Sequence, residues 1–159
     1  MQAVKLENKG LRNLLLGCLF VGLLSLIMGL GLNFLRASSL PLIPPFLLAS
    51  YEGIDPAQAQ KLTAKGKALL LDSRDHYQYK KAHLPGALNL PVKDFSALYP
   101  ALAPLIPANG WIVIYGEGRL RPTERELAYL LGQAGEKKIK ILDGGFRAWA
   151  EKGYPVKGR

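Results

Sequence analysis

The residues with the clearest chemical potential follow the most apolar strand-like run in the chain. Gly116-Glu117-Gly118-Arg119-Leu120-Arg121-Pro122 comes directly after Trp-Ile-Val-Ile-Tyr and before a helix-forming segment. A strand, a glycine-containing loop and a helix N-terminus make an anion site in principle. Backbone N–H groups converge there and the helix dipole favours negative charge. Arg119 and Arg121 strengthen that reading, because a guanidinium clamps an oxyanion in bidentate fashion. Glu117 opposes it, and Arg119 is the base placed to neutralise Glu117. The third glycine of a dinucleotide fingerprint is missing, and no Gly-Lys-Ser/Thr of a phosphate loop follows. A plain strand-to-helix turn is the competing reading.

Three other residues read as support for this loop. Asp72 ends an earlier apolar run and Arg74 follows it, spaced to hold the loop by hydrogen bonds or an ion pair. His83 precedes a Pro-Gly turn and reads as a backbone hydrogen-bonding residue, since a lone histidine needs a partner in reach to act as an acid or base. Trp111 and Trp149 read as core. The one cysteine, Cys18, lies in an apolar N-terminal run. Intrachain disulfides and a cysteine-rich zinc site are therefore excluded. No metal and no cofactor is expected.

The elements that must position these residues are legible as alternation. Asp55-Pro56 caps and opens a helix that Gly66 ends. Residues 68–71 form a short buried strand ending at Asp72. A short helix over 76–82, the turn Leu84-Pro85-Gly86, a strand over 87–90 and a helix over 92–98 follow, and Pro100, Pro104 and Pro107 break what comes next. Residues 111–115 are the strongest strand. Residues 122–133 form a helix with Thr123 and Glu126 in capping-box register. Residues 139–142 are a further strand, and Gly144-Gly145 turns into a last helix over 146–152. Apolar strands alternating with helices predict an α/β domain with a central parallel sheet covered on both faces.

The order of these motifs resembles the rhodanese-like (sulfurtransferase) family. Leu71-Asp72-Ser73-Arg74 matches its Asp-x-Arg. Lys81-Ala82-His83-Leu84-Pro85-Gly86-Ala87-Leu88-Asn89-Leu90-Pro91 is close to its Gly-His-Ile-Pro-Gly-Ala-x-Asn-Ile-Pro segment. Ile112-Val113-Ile114-Tyr115 matches the strand before its active-site loop. Leu142-Asp143-Gly144-Gly145, Trp149 and Gly153-Tyr154-Pro155-Val156 match its C-terminal signature. The resemblance covers about residues 55–157 and implies a three-layer α/β domain. It also implies a loop reading roughly Cys-x-x-Gly-x-Arg-Ser, whose cysteine carries sulfur as a persulfide. Here Gly116 stands at the nucleophile position, Arg121 matches the family arginine and Pro122 replaces the following Ser or Thr. Glycine has no side chain, so covalent sulfur transfer through this loop is chemically excluded.

Residues 14–35 carry no charge and have only Ser25 and Asn33 as polar members. At 1.5 Å per residue such a helix spans roughly 30 Å, a bilayer core. A cleavable signal peptide is the rival reading, with Ala37-Ser38-Ser39 as a weak cleavage motif. Leu15-Leu16-Gly17-Cys18 looks like a lipid-attachment box, but the main apolar stretch lies on its wrong side. Lys5, Lys9 and Arg12 precede the run and Arg36 alone follows closely. The positive-inside rule puts the N-terminus in the cytoplasm and the domain on the outer, periplasmic or extracellular, face. The chain thus divides into a basic tail (1–13), a transmembrane helix (14–35), a Pro-rich apolar connector (36–54) and the rhodanese-like domain (55–159). The connector either rests on the membrane interface or packs on the domain.

Lys and Arg number 21 against 12 acidic residues, a formal charge of +9. The bases are scattered and do not interleave with aromatics, so no nucleic-acid partner is expected. The sequence points to a membrane-anchored, catalytically silent module. Its loop, residues Gly116, Glu117, Gly118, Arg119, Leu120 and Arg121, would recognise a small oxyanion or an acidic segment of a partner protein. The alternative is a sulfur-relay component that uses a thiol from a partner.

Overall fold

The computed structural model describes residues 2–36, 41, 43–118 and 122–158, with side chains from residue 9 onward. The Ala37-Ser38-Ser39 motif lies outside the described residues. The chain divides into two compact units, Met1–Leu42 and Ile43–Arg159.

The first unit is helix α1, Gln2–Leu35. The basic tail is therefore helical and continuous with the apolar run. Its Lys9–Leu35 segment, 27 residues of mean hydropathy 2.4, is long and apolar enough to cross a bilayer. A signal sequence near the N-terminus meets the same description. Its large side chains are exposed throughout, from Leu14 to Leu35. The Ser25 hydroxyl donates to the Val21 carbonyl at 2.8 Å, which satisfies it without water.

The second unit is built on a five-stranded parallel sheet of order β1-β5-β4-β2-β3. The strands are β1 (Glu52–Ile54), β2 (Ala68–Asp72), β3 (Leu88–Asn89), β4 (Trp111–Tyr115) and β5 (Ile139–Leu142). The helices are α2 (Pro45–Leu48), α3 (Pro56–Ala64), α4 (His76–Lys81), α5 (Phe95–Leu102), α6 (Pro122–Gln133) and α7 (Gly145–Glu151). Period-two alternation divides the core between the two faces. Ala68, Leu70, Val113 and Tyr115 join Trp149 and Ala59 on one side. Leu71, Ile112, Ile114 and Ile141 meet Leu127, Ala128 and Leu131 of α6 on the other.

Four local expectations are corrected. The connector contains a strand, β1, which adds to the edge of β5 with only Ile54 buried. The strand expected over 87–90 shrinks to Leu88–Asn89. The helix expected over 92–98 begins as a 3-10 turn at Val92–Asp94, then runs through Pro100 to Leu102. An interior proline costs about 3 kcal/mol, and the packing of Phe95, Leu98, Tyr99 and Leu102 against the sheet offsets it. Thr123 and Glu126 form no capping box, because α6 starts at Pro122 and places Thr123 inside the first turn. The Thr123 hydroxyl donates instead to Glu124 at 2.9 Å.

Tyr115 links this core to the site. Its ring is fully buried and its oxygen accepts from the Leu84 N–H at 3.1 Å. Burial, and then the Asp72 carboxylate, push its phenol far above the ordinary value of 10.0. A raised folded-state pKa leaves its stabilisation intact below about pH 10 and removes it as pH climbs toward the folded value. The free energy of urea unfolding should therefore fall above about pH 10 by up to ~1.4 kcal/mol per pH unit from this group. Tyr115→Phe should flatten that decline while costing about 1–3 kcal/mol at neutral pH through the unpaired Leu84 N–H.

Candidate functional site

The chain leaves β2 toward β3 on one side and β4 toward β5 on the other, so the strand order reverses between β2 and β4. Crevices at the carboxyl ends of strands at such a point are where open α/β sheets bind ligands. Asp72 ends β2 there, and Gly116 follows β4.

Asp72 and Arg74 are buried and paired. Arg74 Nη2 lies 2.7 Å from Asp72 Oδ2, Nε donates to Oδ1 at 3.0 Å, and the Arg74 N–H also donates to Oδ1. The guanidinium donates further to the Ala82 carbonyl at 2.7 Å and lies 4.2 Å from the Phe146 ring centre. Burial works against its charge, but the Asp72 carboxylate more than offsets that, and its pKa is raised. Asn89 locks the segment from the next strand, donating to the Asp72 and Arg74 carbonyls. Arg74 Nη1 reaches Glu117 Oε2 at 3.4 Å. Glu117 is thus met by Arg74, and the expected neutralisation by Arg119 lies outside the described residues. Arg74 is committed to internal partners and is not free to clamp a ligand.

His83 has the bland role. Its Nδ1 lies 2.9 Å from the Tyr79 carbonyl, which places the proton on that nitrogen. Its ring stacks on Tyr79 with centres 4.1 Å apart, and its backbone bridges to Lys157. Among the described residues it makes no bond to Gly116, Glu117 or Gly118. Arg119, Leu120 and Arg121 lie outside the described residues.

The two glycine turns pack on each other. The Phe146 N–H donates to the Gly116 carbonyl at 2.8 Å. Gly118 has φ +115, and a side chain there would collide with the Gly144 carbonyl group. A side chain on Gly145 would lie 2.6 Å from the Gly116 oxygen. The separation of these backbones is set by the absence of Cβ atoms.

Glu124 is the residue that sequence reasoning missed. It is 3% exposed, in the first turn of α6. A Cβ on Gly116 would run into its carboxylate, 2.6 Å from Cδ and 3.1 Å from Oε2. The carboxylate therefore fills the space that a side chain at 116 would take. It also sits where the helix dipole favours negative charge. The signal was present in the sequence. Glu124, Leu127, Ala128 and Leu131 are the inward residues of α6, spaced i, i+3, i+4, i+7 as a buried stripe. Among the described residues, Arg74 joins the Asp72 and Glu117 carboxylates, while the Glu124 carboxylate lies against Gly116.

The comparisons with known proteins decide the family. The Rhodanese-like domain family matches residues 55–152. The chain belongs to the rhodanese-like domain family. An HTH-type transcriptional regulator of Mycobacterium tuberculosis is 30% identical over 105 residues, covering 66% of this chain and 44% of the regulator. A tRNA uridine(34) hydroxylase of Photorhabdus laumondii is 30% identical over 112 residues, covering 67% of this chain and 31% of the hydroxylase. The chain spans less than half the length of these curated relatives. A solution structure of a rhodanese-like domain from Anabaena superposes with a TM-score of 0.56 at 27% identity, over 69% of this chain and 81% of that one. The chain's one cysteine, Cys18, lies outside residues 55–152, consistent with loss of the family's active-site cysteine.

Proposed function

We propose that this rhodanese-like domain is a membrane-anchored, catalytically silent binding module. It recognises an acidic segment of a partner protein through the loop of residues 116–121. The observation that carries the reading is the Glu124 carboxylate in the space beside Gly116. The space beside Gly116 is filled by the Glu124 carboxyl group rather than by a side chain at position 116. A free oxyanion would have to displace a buried carboxylate at the α6 N-terminus. An acidic partner segment would meet the positive charge of Arg119 and Arg121 in the same loop. The Lys9–Leu35 helix supplies the anchor, with the domain on the outer face by the excess of bases before the run.

The test uses the full chain in detergent micelles. Thermal unfolding is followed with thiosulfate, sulfate, phosphate, sulfite and an acidic model peptide, poly-glutamate. A ligand at 100 times its Kd stabilises the folded state by about 2.7 kcal/mol. The small oxyanions should produce no saturable shift in the wild type. Poly-glutamate should produce one that Arg121→Ala removes. A saturable thiosulfate shift abolished by Arg121→Ala would replace the partner segment with a small oxyanion. Thiocyanate formed from thiosulfate and cyanide when a thiol carrier is added would overturn silence in favour of sulfur relay.

A further inference from the structure

The connector holds the densest group of exposed apolar side chains in the second unit. Ile43 is 53% exposed, Leu47 45% and Leu48 71%. Beyond them, large exposed apolar residues of this unit are scattered singly at Tyr77, Leu105 and Val156. Scattered ones need no explanation, whereas a contiguous group marks an interaction surface.

The group is held in place from behind. Helix α2 packs against α6. Phe46 turns inward and is half-buried. The Ala49 carbonyl just after α2 accepts from Arg125 Nη2 of α6 at 2.6 Å. Pro44 and Pro45 fix the backbone at the start of the turn. α2 is therefore fastened to the domain, while Leu47 and Leu48 of the helix and Ile43 just before it stay exposed.

Chain length identifies what covers these residues. α1 ends at Leu35 and the group begins at Ile43. Eight residue steps reach at most about 28 Å, whatever path they take. If α1 spans a bilayer, the group is tethered within reach of the headgroup layer at the end of the span, where apolar side chains of interfacial segments insert. We propose that Ile43, just before α2, and Leu47 and Leu48 of α2 insert into the lipid interface and dock the rhodanese-like domain on the membrane that α1 crosses. The inference rests on α1 being the anchor.

The single native cysteine makes the test clean. The full chain is reconstituted in phosphatidylcholine vesicles, with or without doxyl-labelled acyl chains, and an environment-sensitive fluorophore is attached at one position at a time. Cys18 in the wild-type chain reports the span. Leu48→Cys and Tyr77→Cys, each on a Cys18→Ser background, report the α2 side and an exposed control 77% open to solvent. Leu48 is 71% exposed, so its substitution leaves the core intact. The expected result is blue-shifted emission and strong doxyl quenching at positions 18 and 48, with water-like emission and little quenching at 77.

Quenching at 18 with a water-like signal at 48 would overturn the docking and leave the anchor standing. Absence of quenching at 18 would overturn the anchor, and the docking with it. A blue shift at 48 without doxyl quenching would mean that protein covers α2, which also overturns the proposal. Equal quenching at 48 and 77 would overturn it too, since contact would not be confined to the α2 side.

Discussion

Gly116→Cys alone should leave thiosulfate-to-cyanide sulfur transfer at the blank rate, while Gly116→Cys combined with Glu124→Ala should gain turnover. The new Cβ would lie 2.6 Å from Glu124 Cδ, so the carboxylate must swing out or the loop must shift. Overpacking of this kind costs about 1–3 kcal/mol. A thiol beside a carboxylate is also held in its protonated, unreactive form. A like charge at that range lowers the thiolate fraction by roughly 10- to 100-fold. Removing the Glu124 carboxylate relieves both effects and leaves the α6 N-terminus free to favour the thiolate. Thiocyanate release measures activity and urea unfolding measures stability. The double variant should exceed the single in both. A single variant as active as the double would mean that Glu124 leaves at no cost and does not block the pocket.

Arg74→Ala should be among the most destabilising substitutions in the domain. It strands the Asp72 carboxylate, which is 0% exposed, without its cation. Removing one partner of a buried pair typically costs about 3–5 kcal/mol. The same guanidinium also satisfies the Ala82 carbonyl and holds Glu117. The fall in Tm should be roughly 10–25 °C for a unit of this size. Asp72→Ala should cost a similar amount. The two together should cost less than their sum, because the second change removes a charge the first left unpaired. Additive losses in urea unfolding would show that the pair is not coupled. The loop should open as well, and proteolysis near Glu117 should accelerate in Arg74→Ala beyond what a stability-matched core variant shows.

The parts of the fold legible in the sequence are those fixed by local pattern. β2 and β4 carry continuous apolar runs, as strands covered on both faces do, and β5 is apolar apart from Lys140, which pairs with Glu52 of the edge strand. α3 is announced by Asp55, whose carboxylate caps it through the Ala57 and Gln58 N–H groups. β1 was not legible, since Glu52-Gly53-Ile54 contains no run and is a strand only through its pairing with β5. Pro100 was read as a breaker because local propensity says so, and the packing of α5 on the sheet outweighs it.

The candidate site divides in the same way. The absence of a thiol in the domain is legible from composition, because glycine at position 116 and a lone Cys18 are features that no folding changes. The sequence by itself also determined the Asp72–Arg74 pair, whose two-residue spacing makes the contact local. Folding in three dimensions was needed to show that Glu124 fills the space beside Gly116, that Arg74 reaches Glu117, and that the Gly116-Glu117-Gly118 turn rests on Gly144-Gly145. Those contacts join residues 8 to 43 positions apart on different elements. No periodicity along the chain encodes them. They exist because the parallel sheet sets the carboxyl ends of β2 and β5 on either side of that of β4, at one end of the sheet.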